Sequence, residues 1–317
     1  RTCDRPCEPA CRRGRVDEEP VAICRLKRVA ADHKDDAAVD AQMPQIPKQK
    51  NGKKIALIGA GPASLTVARD LMPLGYDVDL YDENPKAGGF MRTQIPSFRL
   101  PETVLDQEID YVLSMGVMTH FNQRVERLSS ILEQDYDAVF VGTGAPKGKD
   151  LDIEGRAEAD ANVHIGINWL ESVAFEHTTE IGKKVVIVGG GNTAMDCCRT
   201  SKRIGGDEVT VTVRSTYESM KASPWEKDDT IAEGIPILAN HSPKRFIIEN
   251  GKLAGMEFAI VESKYDDNGK RTITETGETV IVECTDAIMA IGQDNAFPWI
   301  DKEAGIEFDK WNVPVLD

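Results

Sequence analysis

The chain has 317 residues, enough for about two domains of ~150 residues each. Its formal net charge of −15 argues against a nucleic-acid partner and against docking on an anionic membrane surface, because both use clustered positive charge. The apolar fraction of 41 % is sufficient for a folded core, and the sequence has neither a signal-peptide pattern nor a run of the roughly 18 apolar residues that span a membrane.

Three of the seven cysteines lie in a turn-rich segment at the start of the chain. Cys3, Cys7 and Cys11 are spaced four apart, but Pro6 and Pro9 argue against a regular helix. An odd number of cysteines without a secretory signal argues against a disulfide framework. The three thiols therefore predict iron–sulfur ligation in a reducing compartment and a cytoplasmic protein, and the alternative is a ligand-free terminus.

An amphipathic helix follows these turns and leads into a linker. Pro20 starts the helix, Leu26 and Val29 lie on its apolar side, and Cys24 is predicted to be a core residue. Residues 33–51 are polar and unpatterned, which is typical of a linker.

The next segment has the pattern of a βαβ unit. Residues 54–58 are a short apolar strand, residues 65–74 have helical periodicity, and residues 77–81 are the next strand. Because strands joined through a helix pair in parallel, this pattern predicts a parallel sheet.

A glycine-rich turn joins the first strand to its helix. Gly59 permits the tight turn, and Gly61 lets the backbone approach a pyrophosphate, which then sits on the partial positive charge of the helix N-terminus. Asp82 ends the second strand, where a carboxylate can accept a hydrogen bond from a ribose hydroxyl. The alternative is a glycine turn without a ligand. The predicted dinucleotide site consists of Gly59, Gly61, Pro62, Ala63, Ser64 and Asp82.

A second βαβ unit repeats this organisation. Residues 185–188 and 209–213 are predicted strands, and residues 193–203 are the helix between them. Two Asn-Gly pairs mark hairpin turns in residues 245–283, which predicts an antiparallel meander. Residues 285–291 have the pattern of one more buried strand.

The second glycine turn predicts a site for a phosphorylated nicotinamide cofactor. Arg214 ends the strand after this turn, at the position where an NAD site would place an acid, and a cation there suits the 2′-phosphate of NADP. Lys221 could add a second charge and Ser215 a hydroxyl contact, and the alternative is that the two cations are solvated loop residues. The predicted site residues are Gly189, Gly190, Gly191, Asn192, Thr193, Arg214, Ser215 and Lys221.

Two dinucleotide motifs in one chain imply two dinucleotides, and the simplest reason to hold both is hydride transfer from a diffusing nicotinamide to a bound flavin. No Cys-x-x-Cys precedes the second motif, which argues against thioredoxin-reductase chemistry. Cys197 and Cys198 are instead predicted to be buried in a helix. The histidines form no metal-ligand pattern, and hydride transfer needs no Ser/His/Asp arrangement because the cofactors supply the chemistry.

The segment after Asp82 carries a family resemblance. Residues 88–92 read Gly-Gly-Phe-Met-Arg and residues 95–101 read Ile-Pro-Ser-Phe-Arg-Leu-Pro. Together they resemble the signature of the glutamate synthase small-subunit family, which includes the NADPH-accepting half of dihydropyrimidine dehydrogenase. Residues 141–145 and 290–293 resemble the two crossovers of this family between its FAD and NADPH domains. Residues 3–11 are similar to the second half of its iron–sulfur cysteine cluster.

The resemblance implies FAD, NADPH and 4Fe-4S clusters as cofactors. The first turn and Asp82 would hold FAD, Gly89 and Arg99 would line the flavin, and Val125 would offer its backbone to the adenine. The second turn would hold NADPH. Near the meeting point of nicotinamide and flavin the resemblance places Ala290, Ile291 and Gly292. As cluster ligands it implies Cys3, Cys7 and Cys11.

The sequence also departs from the family pattern. Relatives often carry two adjacent basic residues where this chain has Arg214 and Ser215, so the preference for NADP over NAD is open. The chain begins on Arg1, and it lacks a late FAD motif and the upstream cluster cysteines of the family. We expect a piece of a longer protein that by itself holds FAD incompletely.

The predicted fold is α/β with two nested Rossmann-like nucleotide-binding domains. The predicted division is a remnant of a helical iron–sulfur domain at 1–32, a linker at 33–51, the first part of the FAD domain at 52–145, the NADPH domain at 146–283 and a return segment of the FAD domain at 284–317. The predicted function is an NADPH-oxidising electron-transfer module that passes electrons to iron–sulfur clusters and a large catalytic subunit, as in glutamate synthase. The alternatives are the same module serving another redox partner, such as a formate dehydrogenase or a ferredoxin-linked complex, and a non-catalytic scaffold with a decayed flavin site.

Overall fold

The N-terminal part of the molecule is a short turn-rich segment and one helix. The computed structural model describes residues 3, 5–33, 44–265 and 271–316. A 3-10 turn occupies Arg12–Arg15, and helix α1 occupies Ile23–Asp32. Leu26 and Val29 are more than half exposed, so the apolar side of α1 is not packed into a core.

The predictions for Cys24 and for the linker have different outcomes. The prediction that Cys24 is a core residue is wrong, because Cys24 is only half-buried and lies on a helix that has no buried residue. Within the predicted linker, residues 34–43 lie outside the described residues. Residues 44–52 contain neither helix nor strand, as predicted.

The first βαβ unit begins a four-stranded parallel sheet, whose strands in spatial order are Met118–His120 (β3), Asp77–Tyr81 (β2), Lys54–Ile58 (β1) and Ala138–Val141 (β4). The two strands predicted from the apolar pattern form β1 and β2, and the left-handed Gly75 ends the helical stretch between them. The elements are β1 at Lys54–Ile58, α2 at Pro62–Leu71, β2 at Asp77–Tyr81, α3 at Phe90–Thr93, α4 at Glu102–Leu113, β3 at Met118–His120, α5 at Leu128–Leu132 and β4 at Ala138–Val141.

Both faces of this first sheet are covered. Because side chains alternate along a strand, Leu57 and Leu80 pack under α2 and α4, while Ile58 and Tyr81 pack on the opposite face with α5. Trp299 joins the second group, and its carbonyl accepts a hydrogen bond from the Leu128 amide at 2.9 Å. The chain therefore returns to the first sheet near its C-terminal end.

The second unit contains a five-stranded parallel sheet with one face covered by helices. Helices at Gly166–Ala174 (α6) and Asn192–Arg203 (α7) bury Trp169 and Met195 against this sheet. Cys197 and Cys198 are fully buried here, as predicted. The elements are β5 at Lys147–Gly148, β6 at Val163–Ile165, α6 at Gly166–Ala174, β7 at Lys184–Val188, α7 at Asn192–Arg203, β8 at Glu208–Val213, α8 at Pro224–Ala232 and β9 at Ile237–Ala239.

The predicted meander covers the other face. Strands β10 at His241–Glu249, β11 at Lys252–Tyr265 and β12 at Arg271–Glu283 form an antiparallel sheet, and Phe258 packs with Val186 between the two sheets. The first predicted hairpin turn joins β10 to β11, and the second lies outside the described residues.

The last two strands show that the chain leaves the second unit at a later residue than the predicted boundary. Strand β13 at Asp286–Met289 inserts between β6 and β7, which gives the order β6-β13-β7-β8-β9. The chain then forms β14 at Gln293–Asp294, which pairs antiparallel with β5. The predicted return at residue 284 thus precedes a strand of the second sheet, because an apolar strand pattern does not reveal which sheet takes the strand.

The α/β fold with two parallel Rossmann-like sheets confirms the predicted class. No helix in the described part of the chain has both the length and the apolar content needed to cross a membrane.

Candidate functional site

The first glycine turn lies directly against the crossover that follows β4. Gly59 has a φ of +91°, a conformation that favours glycine. A Cβ on Gly59 would stand 2.7 Å from the carbonyl oxygen of Gly142, so no side chain fits there. Gly61 is the N-cap residue of α2, and Pro62 is the first helical residue. The start of α2, with the partial positive charge of a helix N-terminus, therefore follows directly on the glycine turn.

A second backbone segment closes in on the same turn. A Cβ on Gly89 would stand 2.6 Å from the Cα of Gly61, so the Gly88–Gly89 backbone and the first glycine turn touch without side chains between them. The amide of Gly88 donates a hydrogen bond to the carbonyl of Ala60 at 2.9 Å. The structure thus brings Gly89, predicted to line the flavin, to the predicted pyrophosphate turn.

Asp82 braces this turn from the end of β2. Its Oδ2 accepts a hydrogen bond from the Ala60 amide at 2.6 Å, and its Oδ1 accepts one from the Asn84 amide at 2.8 Å. Burial raises the pKa of the Asp82 carboxyl, although both hydrogen bonds oppose the shift. Val125, predicted to face the adenine, is half-buried beside the cluster that contains Tyr81.

Two buried hydroxyls beside the first turn have no hydrogen-bond partner in the described structure. They are Ser64 Oγ, on the first turn of α2, and Thr143 Oγ1, in the crossover. A Cβ on Gly142 would stand 2.2 Å from Ser64 Oγ, so helix and crossover are packed tightly. Orphaned hydroxyls near a helix N-terminus fit a polar, negatively charged group such as the pyrophosphate of FAD.

The second glycine turn has the same relation to the second crossover. Gly189 has a φ of +149°, and a Cβ there would stand 2.2 Å from the carbonyl oxygen of Ala290. Gly190 approaches the side chain of Val213 in β8. Gly191, the N-cap residue of α7, differs from both, because a Cβ on it would meet nothing within 4 Å. In dinucleotide-binding folds the pyrophosphate lies at such a helix start, so this open space fits the predicted position of the NADPH pyrophosphate.

A loop after β8 carries the predicted phosphate-binding residues. Arg214 and Lys221 are exposed on this loop, whereas Ser215 is buried, and its carbonyl accepts a hydrogen bond from the Asn240 amide at 3.0 Å. The loop is tied to the glycine turn, because the Ala222 amide donates to the Gly190 carbonyl at 2.9 Å. The roles of Arg214, Ser215 and Lys221 toward a 2′-phosphate stay predictions.

Asn192 and Ser223 form a reciprocal pair at the start of α7. The Ser223 amide donates to Asn192 Oδ1 at 2.8 Å, and Asn192 Nδ2 donates to Ser223 Oγ at 3.3 Å. Sequence reasoning did not identify Ser223. Its position before Pro224, at a helix start, was the available signal.

Three residues from distant predicted motifs line one cleft. These are Thr193 at the start of α7 and, from the second crossover, Ala290 and Gly292; the cleft is completed by Gly148, Ile165, Ile167, Met289 and Gln293. Ile291 packs instead beside the core under the meander. The cleft has a volume of about 20 Å³, room for about one water molecule, and the predicted position of these residues near the nicotinamide stays a prediction.

Arg99 reaches the second unit rather than standing open to the first. Its guanidinium contacts Asp196 on α7 and Glu226 on α8, each at 2.6 Å. Burial raises the pKa of Asp196 to about 7, and the Arg99 charge opposes that shift. In this structure the guanidinium of Arg99 is paired with two carboxylates. Its role beside the flavin stays a prediction. Sequence reasoning missed Asp196, whose signal was a single acid among the apolar residues of α7.

The N-terminal cysteines are not assembled into a metal site. Within the described residues no group of three or more His, Cys, Asp or Glu side chains is placed to hold a metal ion. Cys3 is exposed, while Cys7 and Cys11 are half-buried. Backbone hydrogen bonds from Val21 and Arg13 lower the pKa of Cys11. Cys3, Cys7 and Cys11 stay predicted ligands of a 4Fe-4S cluster.

Comparison with known proteins identifies the family of the chain. Residues 53–317 match the family described as pyridine nucleotide-disulphide oxidoreductase. The NADPH-Fe(3+) oxidoreductase subunit beta of Geobacter sulfurreducens is 37 % identical over 99 % of this chain and 48 % of the relative. The NADP(+)-dependent formate dehydrogenase subunit beta of Moorella thermoacetica is 34 % identical over 95 % of this chain and 46 % of the relative. The chain therefore spans about half the length of these relatives.

Solved structures share the fold at low sequence identity. Mycobacterium tuberculosis FprA in complex with NADPH has a TM-score of 0.66 at 16 % identity, covering 81 % of this chain and 73 % of FprA. The thioredoxin reductase of T. acidophilum has a TM-score of 0.60 at 16 % identity, covering 84 % and 85 % of the two chains.

Proposed function

This chain belongs to the pyridine nucleotide-disulphide oxidoreductase family, and on that premise we propose that it is an NADPH-oxidising flavin module that supplies electrons to a partner subunit. The observation that carries the proposal is the matched geometry of the two glycine turns. Each turn places its first glycine against a crossover and is followed directly by the N-terminus of a helix. A chain that bound a single nucleotide would need only one such arrangement.

The first turn would hold FAD. Gly61 and Ala63 would present the start of α2 to the pyrophosphate, and Ser64 is small enough for the close packing of this helix on the crossover. Asp82 holds the turn in shape through the Ala60 amide, and a carboxylate oxygen that already accepts one hydrogen bond can still accept another from a ribose hydroxyl.

The second turn would hold NADPH. Gly191 leaves room at the start of α7, and Asn192 keeps that start fixed through Ser223. Arg214 would attract the 2′-phosphate, which NADH lacks, and Lys221 would add to the positive charge. Thr193 and Ala290 would border the cleft next to the nicotinamide.

The chemistry supplied by the two bound cofactors would be hydride transfer from NADPH to FAD, which moves two electrons and one proton, followed by delivery of the electrons to a partner. No acid or base of the chain is required for this transfer. The protein would contribute the positions of the two cofactors, and at both turns the crossover backbone lies directly against the first glycine.

The identity of the partner rests on likeness to longer proteins. A relative named as a formate dehydrogenase subunit supports the alternative of a formate dehydrogenase partner, and a relative named as a subunit of an NADPH-Fe(3+) oxidoreductase supports a ferric-iron acceptor. The signature in residues 88–101 supports a glutamate synthase large subunit. Assaying the native complex for NADPH-dependent ferric-iron reduction, NADP⁺-dependent formate oxidation and glutamate formation separates these three.

Anaerobic reduction of the full-length, FAD-loaded protein tests the proposed module. NADPH should bleach the visible flavin absorbance band, and NADH should do so less effectively at equal concentration. A full-length protein that binds no flavin would overturn the proposal in favour of a non-catalytic scaffold. Bleaching by NADH alone would overturn the assignment of NADPH.

A further inference from the structure

A turn from the first unit contacts two helices of the second unit, α7 and α8. Residues 96–100 fold into a tight turn, in which the Arg99 and Leu100 amides donate to the Pro96 carbonyl at 2.9 and 3.0 Å. Leu100 is buried in the core under the first sheet. Arg99, which precedes Leu100, contacts helices of the second unit instead. This turn therefore belongs to one unit and binds the other.

Arg99 ties two helices together at once. Its Nη1 lies 2.6 Å from both carboxylate oxygens of Asp196 on α7, and its Nη2 lies 2.6 Å from Glu226 Oε1 on α8. The three side chains are 14 %, 5 % and 6 % exposed, so water screens these contacts poorly. A planar guanidinium can hold two carboxylates in a fixed relative direction, which an ammonium group cannot do.

A second layer of charges supports this contact. Arg199 Nη1 lies 3.0 Å from the other oxygen of Glu226, and its Nη2 lies 3.0 Å from Glu233. The ring of Phe98 lies under Arg203 and Arg199, with guanidinium carbons 3.9 and 5.0 Å from its centre. Phe98 and Arg99 therefore engage α7 and α8 through adjacent side chains.

The same two helices position the second glycine turn. Helix α7 begins at Asn192, and Asn192 is paired with Ser223 just before α8. Glu226 follows three residues after Ser223, so the contact with Arg99 and the contact with the glycine turn share one helical turn. Any movement of α7 and α8 relative to the first unit would move the nucleotide turn with them.

We propose that Phe98 and Arg99 form an interdomain clasp that sets the position of the second glycine turn relative to the first, which makes Arg99 a positioning residue for hydride transfer. The hydride-transfer part rests on the proposed function, and the clasp itself does not. Transfer depends steeply on the separation of donor and acceptor, and a misplacement of about 1 Å can lower a rate about a hundredfold.

Arg99→Lys in the full-length protein tests the clasp. Lysine keeps the positive charge among the buried carboxylates but cannot hold Asp196 and Glu226 in one plane. Arg69→Lys is the matched control, because Arg69 lies on α2 in an exposed ion pair with its neighbour Asp70 at 2.8 Å. Hydrogen–deuterium exchange, measured without nucleotide, should rise in residues 96–100 and at the start of α8 in Arg99→Lys and stay unchanged in Arg69→Lys.

Rapid-mixing measurements give the second readout. In Arg99→Lys the flavin reduction rate at saturating NADPH should fall about ten- to a hundredfold, while FAD content and the dissociation constant for NADP⁺ stay within about twofold. Unchanged exchange would overturn the clasp whatever the activity. Raised exchange with an unchanged reduction rate would overturn the positioning role. Loss of FAD from Arg99→Lys would also overturn it, because Arg99 would then be a residue that binds FAD. Absence of flavin reduction in the unaltered protein would overturn the proposed function, and the exchange result would still decide the clasp.

Discussion

Replacing Gly191 by alanine separates binding from folding at the second glycine turn. Gly191 has a φ of −102°, which alanine adopts freely, and its Cβ would meet nothing within 4 Å. The substitution should therefore raise the free energy of unfolding by about 0.4–1 kcal/mol, through a less flexible unfolded chain. The new methyl group would occupy space in front of α7. Losing one hydrogen bond from a backbone amide to a charged phosphate costs about 1.5–3 kcal/mol, which weakens NADPH binding roughly ten- to 150-fold.

Gly189→Ala is the matched control for this prediction. Its Cβ would stand 2.2 Å from the Ala290 carbonyl oxygen, and its φ is +149°. Holding a non-glycine residue in such a conformation costs about 1–3 kcal/mol before the clash is counted, so this variant should be clearly destabilised. Urea unfolding and equilibrium titration with NADPH measure the two quantities separately. If Gly191→Ala bound NADPH as tightly as the unaltered protein, the open space would not be the pyrophosphate site and the assignment of the second turn would be refuted.

Three further changes probe other parts of the site. Arg214→Ala should raise the KM for NADPH roughly ten- to 150-fold and leave that for NADH nearly unchanged, because a charge-assisted contact to phosphate contributes about 1.5–3 kcal/mol; equal losses for both nucleotides would contradict a phosphate role. Asp82→Asn should lower both the retention of FAD, measured by flavin release, and the free energy of unfolding, measured in urea. The reason is that either the Ala60 or the Asn84 amide loses its carboxylate acceptor. Full retention of flavin would remove Asp82 from the site. Burial raises the pKa of Asp196 from 3.8 to about 7, so the stability linked to its protonated form is complete below the lower value and is lost as the pH rises through the higher one. Asp196→Asn should therefore flatten the unfolding free energy over that pH window, and an unchanged slope in urea titrations at several pH values would refute the shift.

Local patterns determined most of the strands and helices. The strands at Lys54–Ile58 and Asp77–Tyr81 were predicted at their observed bounds, because a short apolar run between a glycine turn and a polar segment has few other stable conformations. The two glycine turns were predicted in the same way, since the positive φ values at Gly59 and Gly189 are a property of the local backbone.

The candidate site was predictable where it depends on a single turn and unpredictable where two segments meet. Asp82 was predicted from its spacing to Gly59, and it does contact the first glycine turn, whereas Ser223 was missed because it lies 31 residues from its partner Asn192. Cys24 was assigned to a core from its helix pattern alone. That pattern could not show that α1 has no buried residue.

The sequence by itself therefore determined that this protein contains two glycine turns in parallel sheets, since backbone conformation and side-chain alternation act between neighbouring residues. Only the tertiary structure decided which sheet receives Asp286–Met289 and that Arg99 joins the two units through Asp196. Such contacts form between residues about a hundred positions apart, and they depend on shape and buried charge after the chain has folded, which no local pattern encodes.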